Sequence, residues 1–156
     1  MIPSLVWGMA LTLVSVAVHI VGLLHLGQLL SLLIPTRLVS ENPLQRTLFL
    51  SLAVLLMILL HLLGAALWAA AYCWIGELDD FPTALYFSVV TATSLGYGDI
   101  TLSPPWQLLA VFEAMTGLLL FGASTAAVFR LMVKVMPDPL ESKLEPDRQR
   151  EADDSS

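Results

Sequence analysis

The sequence predicts an all-α membrane protein with three transmembrane helices and one short helix that enters the bilayer without crossing it. Three observations predict this. Hydrophobic residues make up 57% of the 156-residue chain, charged residues only 13%, and the mean hydropathy is +0.81. That is the composition of membrane proteins rather than of water-soluble domains. Three apolar runs, Leu5–Ile34, Thr47–Ile75 and Trp106–Val135, each reach the roughly 20 residues that a bilayer core demands. A fourth, Pro82–Thr93, is too short to cross ~30 Å at ~1.5 Å per residue, so it is read as a re-entrant helix shielded by protein.

Residues 1–36 hold the first span. Gly8, Thr12, Ser15, His19 and Gly22 fall on one stripe of it, and small or weakly polar residues so arranged mark a face for helix packing in lipid. The span carries no Arg or Lys, which excludes a voltage sensor, and no basic residue precedes it as in a signal peptide. Residues 37–46 form a short polar linker. Residues 47–76 hold the second span, where Thr47, Ser51, Val54, Ile58, His61, Ala65, Trp68 and Tyr72 make a second packing stripe. Trp68, Tyr72 and Trp74 suit the membrane interface at its end. Cys73 has no second cysteine to pair with.

Residues 77–105 return to the same side. Within them a helix over 82–93 is expected, with Asp80 or Phe81 as its cap and Pro82 in its first turn. Residues 106–136 hold the third span, with Glu113 its one acidic residue. A carboxyl in hydrocarbon needs donors such as Ser88, Thr91 or Thr93 of the short helix, or it stays protonated; solvation by cavity water is the plainer alternative. Residues 137–156 begin Pro137-Asp138-Pro139 and continue polar, as disordered tails do.

Charge sets the orientation. The basic residues Arg37, Arg46, Arg130, Lys134, Lys143, Arg148 and Arg150 all lie between the first two spans or near and beyond the end of the third. The positive-inside rule puts those regions in the cytoplasm and the N-terminus outside, in a multi-pass protein of the cell membrane. Glu77, Asp79, Asp80 and Asp99 then gather on the outer side, where carboxylates concentrate cations; simple solvation serves equally well for Glu77 and Asp79.

The most informative stretch is Thr91-Ala92-Thr93-Ser94-Leu95-Gly96-Tyr97-Gly98-Asp99. Glycines at alternate positions reach φ > 0 without a Cβ clash and so turn successive carbonyls toward one side. Ser94-Leu95-Gly96-Tyr97-Gly98 resembles the selectivity filter of the potassium-channel family, usually Thr-Val-Gly-Tyr-Gly, with Ser for Thr and Leu for Val. The resemblance covers roughly residues 46–136 and implies a homotetrameric pore built from an outer helix, a pore helix, a filter and an inner helix. It implies K+ bound at Ser94, Leu95, Gly96 and Tyr97, with Tyr86, Phe87, Thr91, Thr93, Asp99 and Glu113 supporting the filter. Gly117 and Gly122 resemble the inner-helix hinge region. On that alignment Leu118, Phe121, Thr125 and Phe129 face the cavity, and their spacing of 3, 4 and 4 is one helical face. Residues 1–36 are then an added helix.

Potassium-selective passive conduction is the function the resemblance implies. A weakly selective monovalent cation pore, and a non-conducting accessory or sensor protein with a pore-like fold, fit the same residues. No nucleophile–base pair, metalloprotease motif or nucleotide fingerprint argues for an enzyme. The net charge of −6 argues against nucleic acid. The expected partners are copies of the chain and the bilayer, with no soluble substrate and no cofactor beyond K+ as permeant ion. His19, His25 and His61 are candidates for a metal or pH site, but His19 and His25, six apart, do not share a helix face. Hydrogen-bonded packing is their plainer use.

Overall fold

A computed structural model of the chain describes residues 2–33 and 42–135. Four helices account for most of them: α1 (Ile2–Leu33), α2 (Pro43–Trp74), α3 (Phe81–Ala92) and α4 (Gln107–Val135). Among the described residues there is no strand. Helices α1, α2 and α4 are long and apolar enough to cross a membrane, and the 12-residue α3 is not. The all-helical membrane fold read from the sequence is the fold observed. The expected tail, 137–156, lies outside the described residues.

One boundary differs. The linker was expected to run to Arg46, yet α2 begins at Pro43. Asn42, extended at φ −113°, accepts the Leu44 N–H at 2.9 Å, and Pro43 needs no donor at the first helical position. Hydropathy misses this turn because Gln45 and Arg46 are polar. At the other end of α2, Gly76 takes φ 76°, with Glu77 N–H bonded to Tyr72 O at 3.0 Å. This is a Schellman closure, and it ends α2 so that α3 can pack back against it.

The long helices alternate in direction. Trp7 at the start of α1 meets Trp74 at the end of α2, edge to face at 5.1 Å. At the opposite end Leu30 of α1 packs with Phe49 and Ala53 of α2 and Val135 of α4. A second core joins Trp68, Ala69 and Tyr72 of α2, Ala84 and Phe87 of α3, and Leu102 and Leu109. Between these apolar ends runs a polar band, including a Thr12–Thr116 hydrogen bond of 2.9 Å between α1 and α4.

The α1 stripe packs as expected. A Cβ at Gly8 would collide with Phe112, and one at Gly22 with Leu60, so the small residues are what let the helices approach. The α2 stripe is corrected in its first half. Ala65, Trp68 and Tyr72 are buried, but Ser51, Val54 and Ile58 are exposed, and Phe49, Ala53 and Met57 are buried in their place. Low-polarity helices show little contrast between faces, so spacing alone could not fix which face turns inward.

Candidate functional site

The short helix α3 is held at both ends by its own sequence. Asp80 caps it, accepting the Thr83 N–H at 2.9 Å, and Pro82 sits in the first turn. That amide holds the Asp80 carboxyl below the usual carboxylate range. At the C-terminus Leu95 N–H bonds Val90 O at 3.0 Å and Ser94 N–H bonds Thr91 O at 2.9 Å, a second Schellman closure. Its left-handed residue is Ser94, at φ 59°, a non-glycine in a conformation costing about 1–2 kcal/mol.

The next residues continue that pattern. Gly96 and Gly98 have φ 52° and 76°, whereas Leu95 and Tyr97 are not in the positive-φ region. Left-handed residues therefore fall at 94, 96 and 98. Ser94 ends the helix and begins the alternation at once. The segment is open on its outward side, with Leu95 57% and Tyr97 67% exposed.

Around it, the supporting residues separate into those that bond and those that pack. Tyr86 Oη donates to Asp99 Oδ2 at 2.8 Å, tying α3 to the residue just after the segment. Phe87 is buried, edge to face with Tyr72 at 5.2 Å. Thr93 Oγ1 donates to Val89 O at 2.7 Å within its own helix, and Thr91 is half-buried. Neither threonine donates to Glu113. The Glu113 carboxyl, 1% exposed, instead accepts from Tyr72 Oη at 2.6 Å and pairs with Ser88 Oγ. Ser88 also donates to Ala65 O at 2.8 Å. One carboxyl thus joins α2, α3 and α4 behind the segment.

Tyr72 is the partner that sequence reasoning missed, since it lies 41 residues from Glu113. Glu77, expected only as one of the outer carboxylates, has a partner that the sequence reading did not foresee. It accepts from Ser103 N–H at 2.8 Å and Ser103 Oγ at 2.6 Å, pinning the two ends of the 77–105 loop together.

On α4, Gly117 crosses the end of α3 so closely that a Cβ would run into the Ala92 carbonyl. Its smallness serves this contact. Gly122 has open space around it. Leu118, Phe121, Thr125 and Phe129 are all exposed on the single chain. Phe121 is not free, however, because its ring stacks on His61 at 4.0 Å. Among the described residues no three His, Cys, Asp or Glu side chains could hold a metal ion. His25 is exposed and bonds Val21 O, whereas His19 and His61 meet each other.

A family model described as Ion channel matches residues 48–134, more than half of the chain. The match spans nearly all of α2, the whole of α3 and the 94–98 segment, and nearly all of α4, and it leaves α1 outside. No solved structure matches the chain.

Proposed function

The chain belongs to the ion channel family, and from that premise we propose that it is a potassium-selective channel conducting K+ passively through a homotetrameric pore. As a member of that family with three apolar spans, it is a multi-pass membrane protein. The observation that carries the finer reading is the alternation of backbone hand at Ser94, Gly96 and Gly98. A backbone whose φ changes sign at every residue turns successive carbonyls the same way, where an ordinary strand alternates them. Four copies around one axis then stack oxygen rings from Ser94, Leu95, Gly96 and Tyr97 that replace the hydration shell of K+. The Ser94 hydroxyl is the innermost ligand.

Fourfold assembly is supported by incompleteness, since one loop supplies a quarter of a ring. The exposed Leu118, Leu119 and Phe129 of α4 leave an apolar face free for the cavity and for neighbouring subunits. Four converging C-termini of α3 add negative dipole ends that favour a cation in that cavity. The loop end of the bundle, with Glu77, Asp79, Asp80 and Asp99, faces out. Arg46, Arg130 and Lys134 at the other end face the cytoplasm, in the cell membrane.

Purified protein in planar bilayers with opposed K+ and Na+ gradients tests this. The reversal potential is expected near the K+ equilibrium value. A reversal near zero overturns selectivity in favour of a general cation pore. Absence of current across all voltages and pH values overturns conduction and leaves the accessory-protein reading.

A further inference from the structure

Two imidazoles from different helices meet one hydroxyl between the spans. His19 of α1 and His61 of α2 each bring Nε2 to Ser124 Oγ of α4, at 2.9 and 3.0 Å. The ring centroids are 4.7 Å apart. His19 is 3% and Ser124 6% exposed. Because the family match begins at residue 48, this cluster ties the added helix to the part of the chain that the family shares.

Counting protons defines the neutral state. A serine hydroxyl has one proton to give and lone pairs to accept with, and a neutral imidazole nitrogen either donates or accepts. Both contacts are satisfied when one histidine donates to Ser124 and Ser124 donates to the other, or when both donate to Ser124 lone pairs and its O–H turns to a carbonyl of its own helix. At least one histidine is therefore an Nε2–H tautomer, since Ser124 has a single proton to give. A proton added to the accepting ring makes its Nε2 a donor as well. The Ser124 O–H then faces an N–H and must turn to a carbonyl of its own helix. A second proton would set two cations 4.7 Å apart where charge is poorly screened.

The groups facing the cluster leave this proton unanswered. Glu113 of α4 lines the same cavity of about 270 Å³, but its carboxyl is engaged by Tyr72 of α2 and Ser88 of α3. Thr93 of α3 bonds within its helix, and Thr116 of α4 pairs with Thr12 of α1. On α1, Ser15 lies buried on the cavity wall without a partner, and His25 is exposed and bonds its own helix. No Lys, Arg or Asp is among the residues that line the cavity.

We propose that His19, Ser124 and His61 form a proton-operated clasp: neutral, it fastens α1 and α2 to α4, and protonated, it releases them and changes channel activity. Only the last clause rests on the channel reading. Ser124 lies seven residues beyond Gly117, about 10 Å along the helix, past the point where α3 braces α4. Histidine is the side chain whose ordinary titration spans this window. Because a histidine cation here has no free anion to pair with, whereas in the unfolded chain it is hydrated, acid weakens the clasp.

The test uses the full chain in lipid nanodiscs and liposomes between about pH 7.5 and about pH 5. Nitrogen-15 spectra of labelled histidine at the higher pH are expected to show His19 and His61 both neutral, with at least one the Nε2–H tautomer, assigned with His19→Gln and His61→Gln. Finding either ring already charged at the higher pH, or both as Nδ1–H tautomers, overturns the clasp. Gln keeps a hydrogen-bonding group near Nε2 but does not titrate. Wild-type melting temperature should fall on acidification, and the double Gln variant should fall by about half as much or less. K+ flux should change about threefold or more in the wild type, stay nearly flat in the double variant, and respond normally in His25→Gln. An unchanged pH response in the double variant overturns the proposal. If no variant conducts, the channel reading fails, and the spectra and melting curves still decide the clasp.

Discussion

Removing the Glu113 carboxyl should destabilise the pore module through one orphaned hydroxyl. Tyr72 is fully buried and its Oη donates to Glu113 Oε2 at 2.6 Å. In Glu113→Leu that phenol has no acceptor, and a buried donor left unpaired costs about 1–3 kcal/mol. Ser88 adds little to the loss, because it keeps Ala65 O at 2.8 Å. Glu113→Gln is the informative contrast. Its amide can donate to Ser88 Oγ while its carbonyl accepts from Tyr72, so its cost should stay below about 1 kcal/mol. Tyr72→Phe removes the donor and should cost a similar amount to Glu113→Leu. The double variant Tyr72→Phe with Glu113→Leu leaves no orphan, so its cost should fall short of the sum by about 1–3 kcal/mol. Reversible unfolding of purified protein in mixed micelles measures all four. A Glu113→Leu variant as stable as wild type, or a cycle additive within about 0.5 kcal/mol, would refute the reasoning. Because this carboxyl ties α2, α3 and α4 together behind residues 94–98, the same Leu variant should also lower K+ flux.

Gly96→Ala should abolish or scramble conduction with oligomers intact on native gels, because a Cβ opposes φ 52°; ordinary K+ currents would contradict the filter assignment. Gly117→Ala drives a Cβ into the Ala92 carbonyl and should cost about 1–3 kcal/mol in the same unfolding assay. Gly64→Ala, with open space at its Cβ, should be neutral or stabilising by up to about 1 kcal/mol. The Thr83 amide holds the Asp80 carboxyl low, so the cap's contribution is present at neutral pH and lost only as pH falls below the usual carboxylate range. Protection of the Thr83 amide, measured as hydrogen exchange relative to its intrinsic rate, should therefore fall in strong acid in the wild type, and already be low at neutral pH in Asp80→Ala.

What the sequence determined by itself is whatever is local or periodic. Span length is a matter of consecutive apolar residues, so three crossings and one non-crossing helix were legible. The Asp80 cap and Pro82 announce the start of α3 within a few residues. Alternate glycines are a local backbone requirement, and Gly96 and Gly98 do take positive φ. The Schellman role of Ser94 was not legible, because serine carries no such signal by itself.

Only the tertiary structure decided which polar groups meet. Glu113 visibly needed donors, but Tyr72 and Ser88 belong to two other helices, whose rotation about their axes sets what they present. Gly117 is small for the sake of Ala92, and Phe121 stacks on His61, though neither pair has any sequence proximity. His19 and Ser124 stand 105 residues apart and still make a 2.9 Å contact. Spacings of three and four report neighbours on one helix face. They carry no information on the partner helix, the depth of contact or the side from which it approaches, and for helices apolar all round those choices are settled only by packing.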